Sequence, residues 1–327
     1  MAVFTQVTLQ EAQSLIDQLM LGQALGLKGI EGGIENTNYF LDCTGSDTQA
    51  AEPQRFVLTL FERLGKDELP FYLQLMKHLA NKGIPVPDPQ VNKHGELLFE
   101  VAGKPAALVN RLRGQSHLHP KVSHCTTVAK MLAKMHLAGQ DYALIQPNLR
   151  GLNWWLATTP LILEFMSDEN QALLKQEIAF QANLAQTSLY ASLPKGAIHA
   201  DLFRDNVMFE GDELTGFFDF YFAGTDTWLF DIAVCLNDWC IDLDSGKFDQ
   251  NRLLAFLKAY QTERPFTKQE RRLFNPLLRA AALRFWISRL WDFHLPRQAN
   301  LLKAHDPEHF ERILKLRVQS PVRDGLF

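Results

Sequence analysis

The periodicity of the apolar residues changes once along the chain, and this change constrains the fold more than any other feature. In the first third, short apolar segments alternate with glycine, proline or polar turns, as in Arg55–Glu62, which is typical of β-strands. From Pro120 onward, apolar residues recur at the spacing of amphipathic helices, with one strand-like interruption at Lys195–Phe220. The pattern predicts an α+β fold with a small strand-rich N-terminal part and a larger, mostly helical C-terminal part.

The N-terminal part is predicted to contain two helices and five strands. Thr8 and Glu11 have the spacing of a capping box, so the first helix is expected to begin there and to end near Gly22. The second helix is expected to end at Lys82, because Gly83 and three closely spaced prolines follow it. The predicted strands are Ala24–Ile30, Asn36–Cys43, Arg55–Glu62, Glu96–Val101 and Pro105–Leu112, and the second helix is Asp67–Lys82.

The C-terminal part is predicted to be helical on both sides of one hairpin. The hairpin combines a strand at Val207–Phe209, a turn at Gly211 and Asp212, and a strand at Leu214–Phe218. The predicted helices are Lys121–Ala138, Glu169–Leu189, Trp228–Cys240, Asn251–Glu263, Lys268–Trp291 and Pro307–Lys315.

Length, composition and charge exclude several classes of protein. A single hydrophobic core stops growing near roughly 250–300 residues, so a chain of 327 residues is expected to form two domains. The chain is 46% hydrophobic and 21% charged, which is typical of a folded protein and not of a disordered one. The net charge of −4 provides no basic excess for binding nucleic acid.

The cysteines and the apolar segments predict the compartment. The four cysteines include no CxxC pair, which argues against a zinc ribbon or a thioredoxin-like site, and sparse cysteines fit a reducing compartment. The N-terminal segment lacks the pattern of a secretory signal, and no apolar run approaches about 18 residues. We therefore expect a cytoplasmic protein that does not insert into membranes.

The predicted hairpin carries the residues that indicate chemistry. Asp201 and Asn206 lie at the two ends of one short loop, and Asp219 follows a strand that can return beside this loop. Two carboxylates and one amide oxygen can therefore converge, and oxygen ligands of this kind suit Mg²⁺. Phosphoryl transfer needs a metal to neutralise phosphate charge and a carboxylate to accept the proton of the attacking hydroxyl. In the protein-kinase template, the catalytic Asp and the metal-binding Asn have the same spacing as Asp201 and Asn206.

The segments HADLFRDNV and FFDF resemble the aminoglycoside phosphotransferase-like branch of the protein-kinase-like fold. The resemblance covers nearly the whole chain. It implies a bilobal fold that uses ATP and Mg²⁺, with Asp201 as catalytic base and Asn206 and Asp219 as metal ligands. It also implies that His199 braces the loop and that Asp231 supports it from the following helix.

The resemblance divides the chain into residues 1–109, a nucleotide-covering lobe, and residues 110–327, a lobe that holds the catalytic loop and the acceptor. The segment GGIENTN corresponds to the glycine-containing loop over the phosphates, although it lacks the three glycines of protein kinases. The backbone around residues 109–111 corresponds to the hinge that contacts adenine. The residues expected to bind the nucleotide are Gly33, Asn36, Asn38, Val57, Thr59, Val109 and Arg111.

One position departs from the protein-kinase pattern. Thr59 stands where a lysine of the third strand contacts the phosphates in protein kinases. A threonine supplies no charge, so a basic residue elsewhere is expected to take this role. Arg63, Lys66 and Arg204 are the candidates, and Arg204 is also counted with the catalytic loop.

More narrowly, DFYFAGTDTWLFDIAVCLNDWC and RFWISRLWDF are similar to bacterial homoserine kinases of this fold. This similarity implies transfer of the ATP γ-phosphate to the side-chain hydroxyl of L-homoserine, a step of threonine biosynthesis. The residues considered for the acceptor are Tyr221, Asp238 and Arg284. Two alternatives remain open at this point: a kinase of this fold for another small alcohol, such as methylthioribose, choline or an aminoglycoside, and a kinase-like module without catalysis.

Overall fold

A computed structural model describes residues 3–30, 36–44, 52–295 and 305–321. The chain forms two compact units, Met1–Arg113 and Gly114–Phe327. The first contains an antiparallel sheet and the second is mostly helical. This arrangement confirms the predicted fold class.

The first unit is built on a five-stranded antiparallel sheet. Its strands are β1 (Ala24–Gly29), β2 (Asn36–Cys43), β3 (Gln54–Phe61), β4 (Phe99–Val101) and β5 (Lys104–Asn110). Their order in the sheet is β1-β2-β3-β5-β4. Side chains of β2 alternate between buried and half-buried positions, as expected for a strand with one face on a core.

Two helices accompany this sheet. They are α1 (Leu9–Leu19), which precedes β1, and α2 (Leu69–Asn81), which lies between β3 and β4 in the chain. The predicted capping box is present, because Thr8 Oγ1 accepts the backbone N–H of Glu11 while the Glu11 carboxylate accepts that of Thr8. The buried side chains of α1, among them Leu15 and Ile16, join the core of the sheet. Helix α1 therefore supports the strands that carry the predicted nucleotide residues.

The second unit contains eight helices among its described residues. They are α3 (Val122–Ala138), α4 (Leu152–Ile162), α5 (Asp168–Ala185), α6 (Ser188–Ala191), α7 (Trp228–Trp239), α8 (Gln250–Glu263), α9 (Lys268–His294) and α10 (Glu308–Gln319). Every residue of α7 is buried, so this helix forms the centre of the unit. Helix α7 packs against α9, and α3 packs against α8. In the described part of the chain, no helix is both long and apolar enough to cross a membrane.

Two small antiparallel sheets frame the predicted hairpin. Strands β7 (Val207–Glu210) and β8 (Glu213–Phe217) form the hairpin itself, with Val207 opposite Phe217. Strand β6 (Lys195–Ile198) pairs with β9 (Gly224–Thr227), which was not predicted. The loop between β6 and β7 and the loop between β8 and β9 are therefore both held at their ends by strand pairing.

Candidate active site

The loop at residues 199–206 connects β6 to β7, and its backbone makes an unusual turn at Ala200. The φ angle of Ala200 is 64°, in the left-handed region that non-glycine residues seldom adopt. This conformation costs about 1–2 kcal/mol, so the surrounding contacts must hold it in place. A one-turn 3-10 helix at Arg204–Asn206 ends the loop.

The predicted base and the predicted metal ligand at the two ends of this loop are tied together. The Asn206 Nδ2 donates to the Asp201 backbone oxygen at 2.8 Å. The same oxygen accepts the backbone N–H of Phe203 at 2.8 Å. These bonds fix the Asn206 amide with its nitrogen toward Asp201 and its oxygen on the opposite side, where it can act as a ligand. The structure therefore brings Asp201 and Asn206 together as the spacing predicts.

His199 links this loop to the segment that carries Asp219. Its Nε2 donates to the carbonyl oxygen of Phe218 at 2.9 Å, and its Nδ1 accepts the backbone N–H of Asp201 at 3.3 Å. Burial lowers the pKa of His199 despite the neighbouring Asp231 carboxylate. A neutral imidazole with its proton on Nε2 satisfies both bonds, so His199 serves as a connector between Asp201 and the residue before Asp219.

Asp231, in the first turn of α7, anchors the backbone of the 199–206 loop. Its two carboxylate oxygens accept the N–H groups of His199 and Ala200, each at 2.8 Å. It also accepts the Nε2–H of His136 at 3.1 Å. Burial opposes its ionisation, but the hydrogen bonds from the His136 imidazole and from the His199 backbone N–H outweigh burial and lower the pKa of Asp231. An ionised Asp231 thus secures the left-handed turn at Ala200.

A buried network behind Asp231 was not predicted from the sequence. The hydroxyl of Tyr260 donates to His136 Nδ1 at 2.7 Å, and its oxygen accepts the Nε–H of Arg264 at 2.9 Å. Arg264 in turn forms a buried ion pair with Glu270. Burial lowers the pKa of His136, so the imidazole is neutral and donates through Nε2. Hydrogen bonds therefore run without interruption from the start of α9 to the 199–206 loop.

Asp219 lies between β8 and a one-turn 3-10 helix at Phe220–Phe222. Its backbone is left-handed, with φ 65° and ψ 59°, a conformation that aspartate tolerates better than most residues. The backbone N–H of Phe218 donates to the carbonyl oxygen of Asn206 at 3.1 Å, which brings the two predicted metal-binding segments side by side. No three His, Cys, Asp or Glu side chains converge as a metal site among the described residues. One carboxylate and one amide oxygen nevertheless fit Mg²⁺, which keeps several waters and takes few protein ligands.

Arg204 and Asp238 pair with each other. The Nε of Arg204 donates to both carboxylate oxygens of Asp238, at 3.1 and 3.2 Å, and Asp238 also accepts the Arg204 backbone N–H at 2.8 Å. The remaining guanidinium nitrogens donate to the carbonyl oxygens of Leu118 and Asp238. Both side chains are largely buried in this pair. This pair anchors the loop on α7, and the phosphate and acceptor contacts expected of Arg204 and Asp238 stay predictions.

Aromatic side chains support the same loop from two helices. Phe203 contacts Phe285 of α9 with ring centroids 4.4 Å apart, and Phe310 of α10 at 5.9 Å. Phe285 and Phe310 stack on each other at 5.0 Å. The segment after Asp201 is therefore packed against α9 and α10 at once.

The other two residues considered for the acceptor lie beside these loops. Tyr221 is in the one-turn helix directly after Asp219. Arg284 is buried on α9, and its guanidinium lies near Phe222 and over Phe285. Both positions are compatible with an acceptor near Asp201 and Asp219.

In the first unit, the residues expected to bind nucleotide fall on neighbouring strands. Asn38 of β2 lies opposite Thr59 of β3, and the Thr59 hydroxyl donates to Asn38 Oδ1 at 2.7 Å. Val57 lies opposite Val109 in the pairing of β3 with β5. These four members of the predicted set therefore lie on the three central strands.

Two further members of that set lie at strand ends, and the third lies outside the described residues. Asn36 begins β2 opposite Phe61, Arg111 follows β5 with its guanidinium over the Phe40 ring at 3.9 Å, and Gly33 lies outside the described residues.

Three basic residues were expected to replace the missing third-strand lysine, and Arg204 among them is paired with Asp238. Lys66 forms an ion pair with Glu100 at 2.8 Å, and both side chains are 60% exposed. Glu68 accepts the backbone N–H of Gly65 at 2.8 Å, so it stabilises the turn before α2. Arg63 is the second residue after the end of β3.

Comparison with known proteins identifies the family. The model of the phosphotransferase enzyme family matches residues 26–274. A homoserine kinase of Polaromonas naphthalenivorans is 58% identical over 321 residues, which cover 98% of this chain and 99% of the relative. A homoserine kinase of Janthinobacterium sp. is 53% identical, covering 98% of this chain and 97% of the relative.

Solved structures of other proteins have the same fold at low sequence identity. The amicoumacin kinase hAmiN, in complex with AMP-PNP, Ca²⁺ and Ami, matches with a TM-score of 0.70 and 16% identity over 95% of this chain and 94% of its own. Choline kinase from Cryptosporidium parvum matches with a TM-score of 0.62 and 14% identity over 90% and 88%. The chain belongs to the phosphotransferase enzyme family and, by its full-length similarity, to the homoserine kinases within it.

Proposed function

We propose that this chain transfers the γ-phosphate of ATP to the side-chain hydroxyl of L-homoserine, giving O-phospho-L-homoserine and ADP. This reaction is a step of threonine biosynthesis, as the resemblance of the sequence implies. The observation that carries the proposal is the 199–206 loop, where Asp201 and Asn206 are fixed to each other in a chain similar to homoserine kinases over its full length.

Asp201 is proposed as the base. In the transfer, the hydroxyl oxygen of the acceptor forms a bond to the γ-phosphorus while the bond from that phosphorus to the bridging oxygen breaks. The proton of the hydroxyl passes to the Asp201 carboxylate, and the electron pair of the broken bond leaves with ADP. His199 holds Asp201 in place through its backbone N–H, and Asp231 holds His199.

Asn206 and Asp219 are proposed to hold Mg²⁺ through their side-chain oxygens. When bound, the metal neutralises charge on the phosphates. The fixed orientation of the Asn206 amide and the proximity of its backbone to Phe218 support this assignment. The amicoumacin kinase with a related fold was solved with AMP-PNP and Ca²⁺, a nucleotide analogue and a divalent cation.

The first unit is proposed to contribute nucleotide contacts, and the second to contribute the loop chemistry and the acceptor site. Asn38 and Thr59 are bonded to each other, so they present one polar patch on the central strands. Backbone near Val109 and Arg111 is proposed to contact adenine.

The second unit contains three of the four cysteines, and all three are buried free thiols. Free thiols agree with the reducing conditions of the cytoplasm, where we propose that the reaction takes place.

A substrate screen with purified protein tests the reaction. ATP consumption is measured with L-homoserine, choline, methylthioribose and an aminoglycoside as separate acceptors. We expect turnover with homoserine. The proposed substrate would be refuted if another acceptor were phosphorylated and homoserine were not.

Asp201→Asn tests the base, with Asp205→Asn as a matched control in the same loop. Asp205 is exposed, and its backbone oxygen accepts a hydrogen bond from the Ser116 hydroxyl. We expect Asp201→Asn to remove turnover and leave ATP binding largely intact, while Asp205→Asn stays close to wild type. Turnover retained by Asp201→Asn would refute the role of the base.

Asp219→Ala tests the metal site, with Asp244→Ala as an exposed control. Nucleotide affinity is measured by calorimetry with and without Mg²⁺. We expect the Mg²⁺-dependent gain in affinity to disappear in Asp219→Ala and to persist in Asp244→Ala. An unchanged gain in Asp219→Ala would refute the ligand assignment.

A further inference from the structure

Two arginines converge on one aromatic ring beside the loops of the proposed active site. Phe222 lies three residues after Asp219, in the one-turn helix that follows it. The guanidinium carbon of Arg284, from α9, lies 5.1 Å from the centre of the Phe222 ring. The guanidinium carbon of Arg150, from the segment before α4, lies 5.7 Å from the same centre. The fold therefore brings two positive charges to a single ring.

Arg284 is also tied to the segment that follows Asp201. Its guanidinium carbon lies 3.8 Å from the centre of the Phe285 ring. Phe285 contacts Phe203, two residues after Asp201, with ring centroids 4.4 Å apart. Arg284 therefore lies near two aromatic rings: Phe222, from the segment of Asp219, and Phe285, which packs on the segment of Asp201. Only 4% of its surface is exposed, so its position is set by packing.

This geometry favours a small anion as the ligand. Aromatic rings take up the faces of a guanidinium, whereas its N–H donors point outward along the edge in a fork that matches a carboxylate. Hydrogen bonds between a guanidinium and a carboxylate are charge-assisted and are about twice as strong as neutral ones. A carboxylate near Arg284 would lie beside both loops of the active site.

We propose that Arg284, assisted by Arg150, binds the α-carboxylate of the acceptor and thereby selects amino-acid alcohols. The inference rests on the proposed function, because it names the group by which that acceptor is recognised. The two arginines repel choline and aminoglycosides, which carry positive charge and no carboxylate. The hydroxyl to be phosphorylated extends from the other end of the same small molecule toward Asp201.

The test compares two acceptors that differ only in the carboxylate: L-homoserine and 3-aminopropan-1-ol. The value of kcat/KM is measured for each acceptor with the wild type and with Arg284→Met. Arg272→Met is the matched control, because Arg272 is exposed on the same helix. We expect Arg284→Met to lose about 10- to 100-fold in kcat/KM with homoserine, the range of a charged hydrogen-bonded contact. With 3-aminopropan-1-ol the loss should stay below about threefold, since the removed contact is absent there.

Two further variants keep the test decisive if Arg284→Met does not fold, which thermal unfolding reveals. Arg284→Lys keeps the charge but not the fork, so its loss should be smaller and again confined to homoserine. Arg150→Gln should also lose kcat/KM with homoserine and not with 3-aminopropan-1-ol. Its loss should be smaller than that of Arg284→Met.

The outcomes separate this inference from the proposed function. No turnover of homoserine by the wild type would overturn the proposed function itself. Turnover of homoserine by the wild type, combined with equal losses on both acceptors in the arginine variants, would overturn the carboxylate assignment alone. A KM for ATP raised tenfold with both acceptors would also overturn it, because the arginines would then act on the nucleotide.

Discussion

Asp231→Asn is expected to loosen the 199–206 loop and lower both stability and turnover. In the native protein one carboxylate accepts three N–H donors, from His199, Ala200 and His136. An asparagine keeps one acceptor oxygen and replaces the other with an NH₂ group. If the oxygen stays with Ala200, the NH₂ group faces the donors of His199 and His136. The His136 imidazole can change tautomer and accept from this NH₂ group. The backbone N–H of His199 has no such choice, and it would still face the NH₂ group of the asparagine.

The expected loss can be worked from these contacts. Two N–H donors lose their charged acceptor in this variant, and a hydrogen bond to a charged group is worth about 1.5–3 kcal/mol, so the loss should be about 3–6 kcal/mol. For a domain of this size, each kcal/mol lowers the midpoint of thermal unfolding by about 2–4 °C, which gives about 6–24 °C. Turnover should fall by at least about tenfold, since a displacement of about 1 Å at a reacting group can cost about a hundredfold.

The assay combines thermal unfolding with ADP release at saturating substrates. Asp226→Asn is the matched control, because Asp226 is a half-buried acid of the neighbouring strand that accepts N–H groups from Asn148 and Thr227. Burial raises the pKa of Asp226, so an uncharged side chain is better tolerated there than at Asp231, whose pKa is lowered. If both variants lose the same stability and turnover, the special role of Asp231 is refuted.

Further predictions concern the network behind Asp231 and the pH dependence of stability. Tyr260→Phe removes the acceptor of the Arg264 Nε–H and the donor to His136 Nδ1, so the midpoint of thermal unfolding should fall. Tyr190→Phe is the control and should leave the midpoint nearly unchanged. Equal midpoints in thermal scans would contradict this. Burial and nearby arginines lower the pKa of His309 to about 4, below its ordinary value of 6.5. The folded state therefore binds fewer protons in this range, and the free energy of unfolding should fall as pH decreases from 6.5 toward 4. His309→Leu should flatten this decline in denaturant titrations at a series of pH values, and an unchanged slope would count against it.

The order of strands and helices could be predicted because most elements carry their own periodicity. Helix α7 begins at the predicted Trp228 and ends one residue early, and β2 has the predicted bounds. Helix α4 was missed because its sequence, LNWWLATTPLI, has few polar residues to mark an exposed face and contains Pro160. Strand β9, with the sequence GTDT, lacks apolar alternation, and only its pairing with β6 makes it a strand.

The site was predictable where its residues are close in sequence, as Asp201 and Asn206 are. Partners that are distant in sequence were not predictable. His136 reaches Asp231 across 95 positions, and the only local signal is a histidine on the buried face of α3, which requires a polar partner. Arg204 and Asp238 look like free functional groups in the sequence, and only the fold shows that they satisfy each other.

The packing of Phe203 against Phe310 has a consequence for the order of events during synthesis. These residues are more than one hundred positions apart, and Phe310 lies in the last described helix, α10. A ribosome adds about 5–20 residues per second, so α10 is synthesised seconds after the Asp201 loop. The aromatic contacts that support this loop are complete only when α10 is present. The first unit can fold much earlier, because its core lies within the first 113 residues. Catalytic competence is therefore acquired only after α10 has been synthesised, and chains interrupted before α10 should carry a folded N-terminal sheet and an unsupported loop.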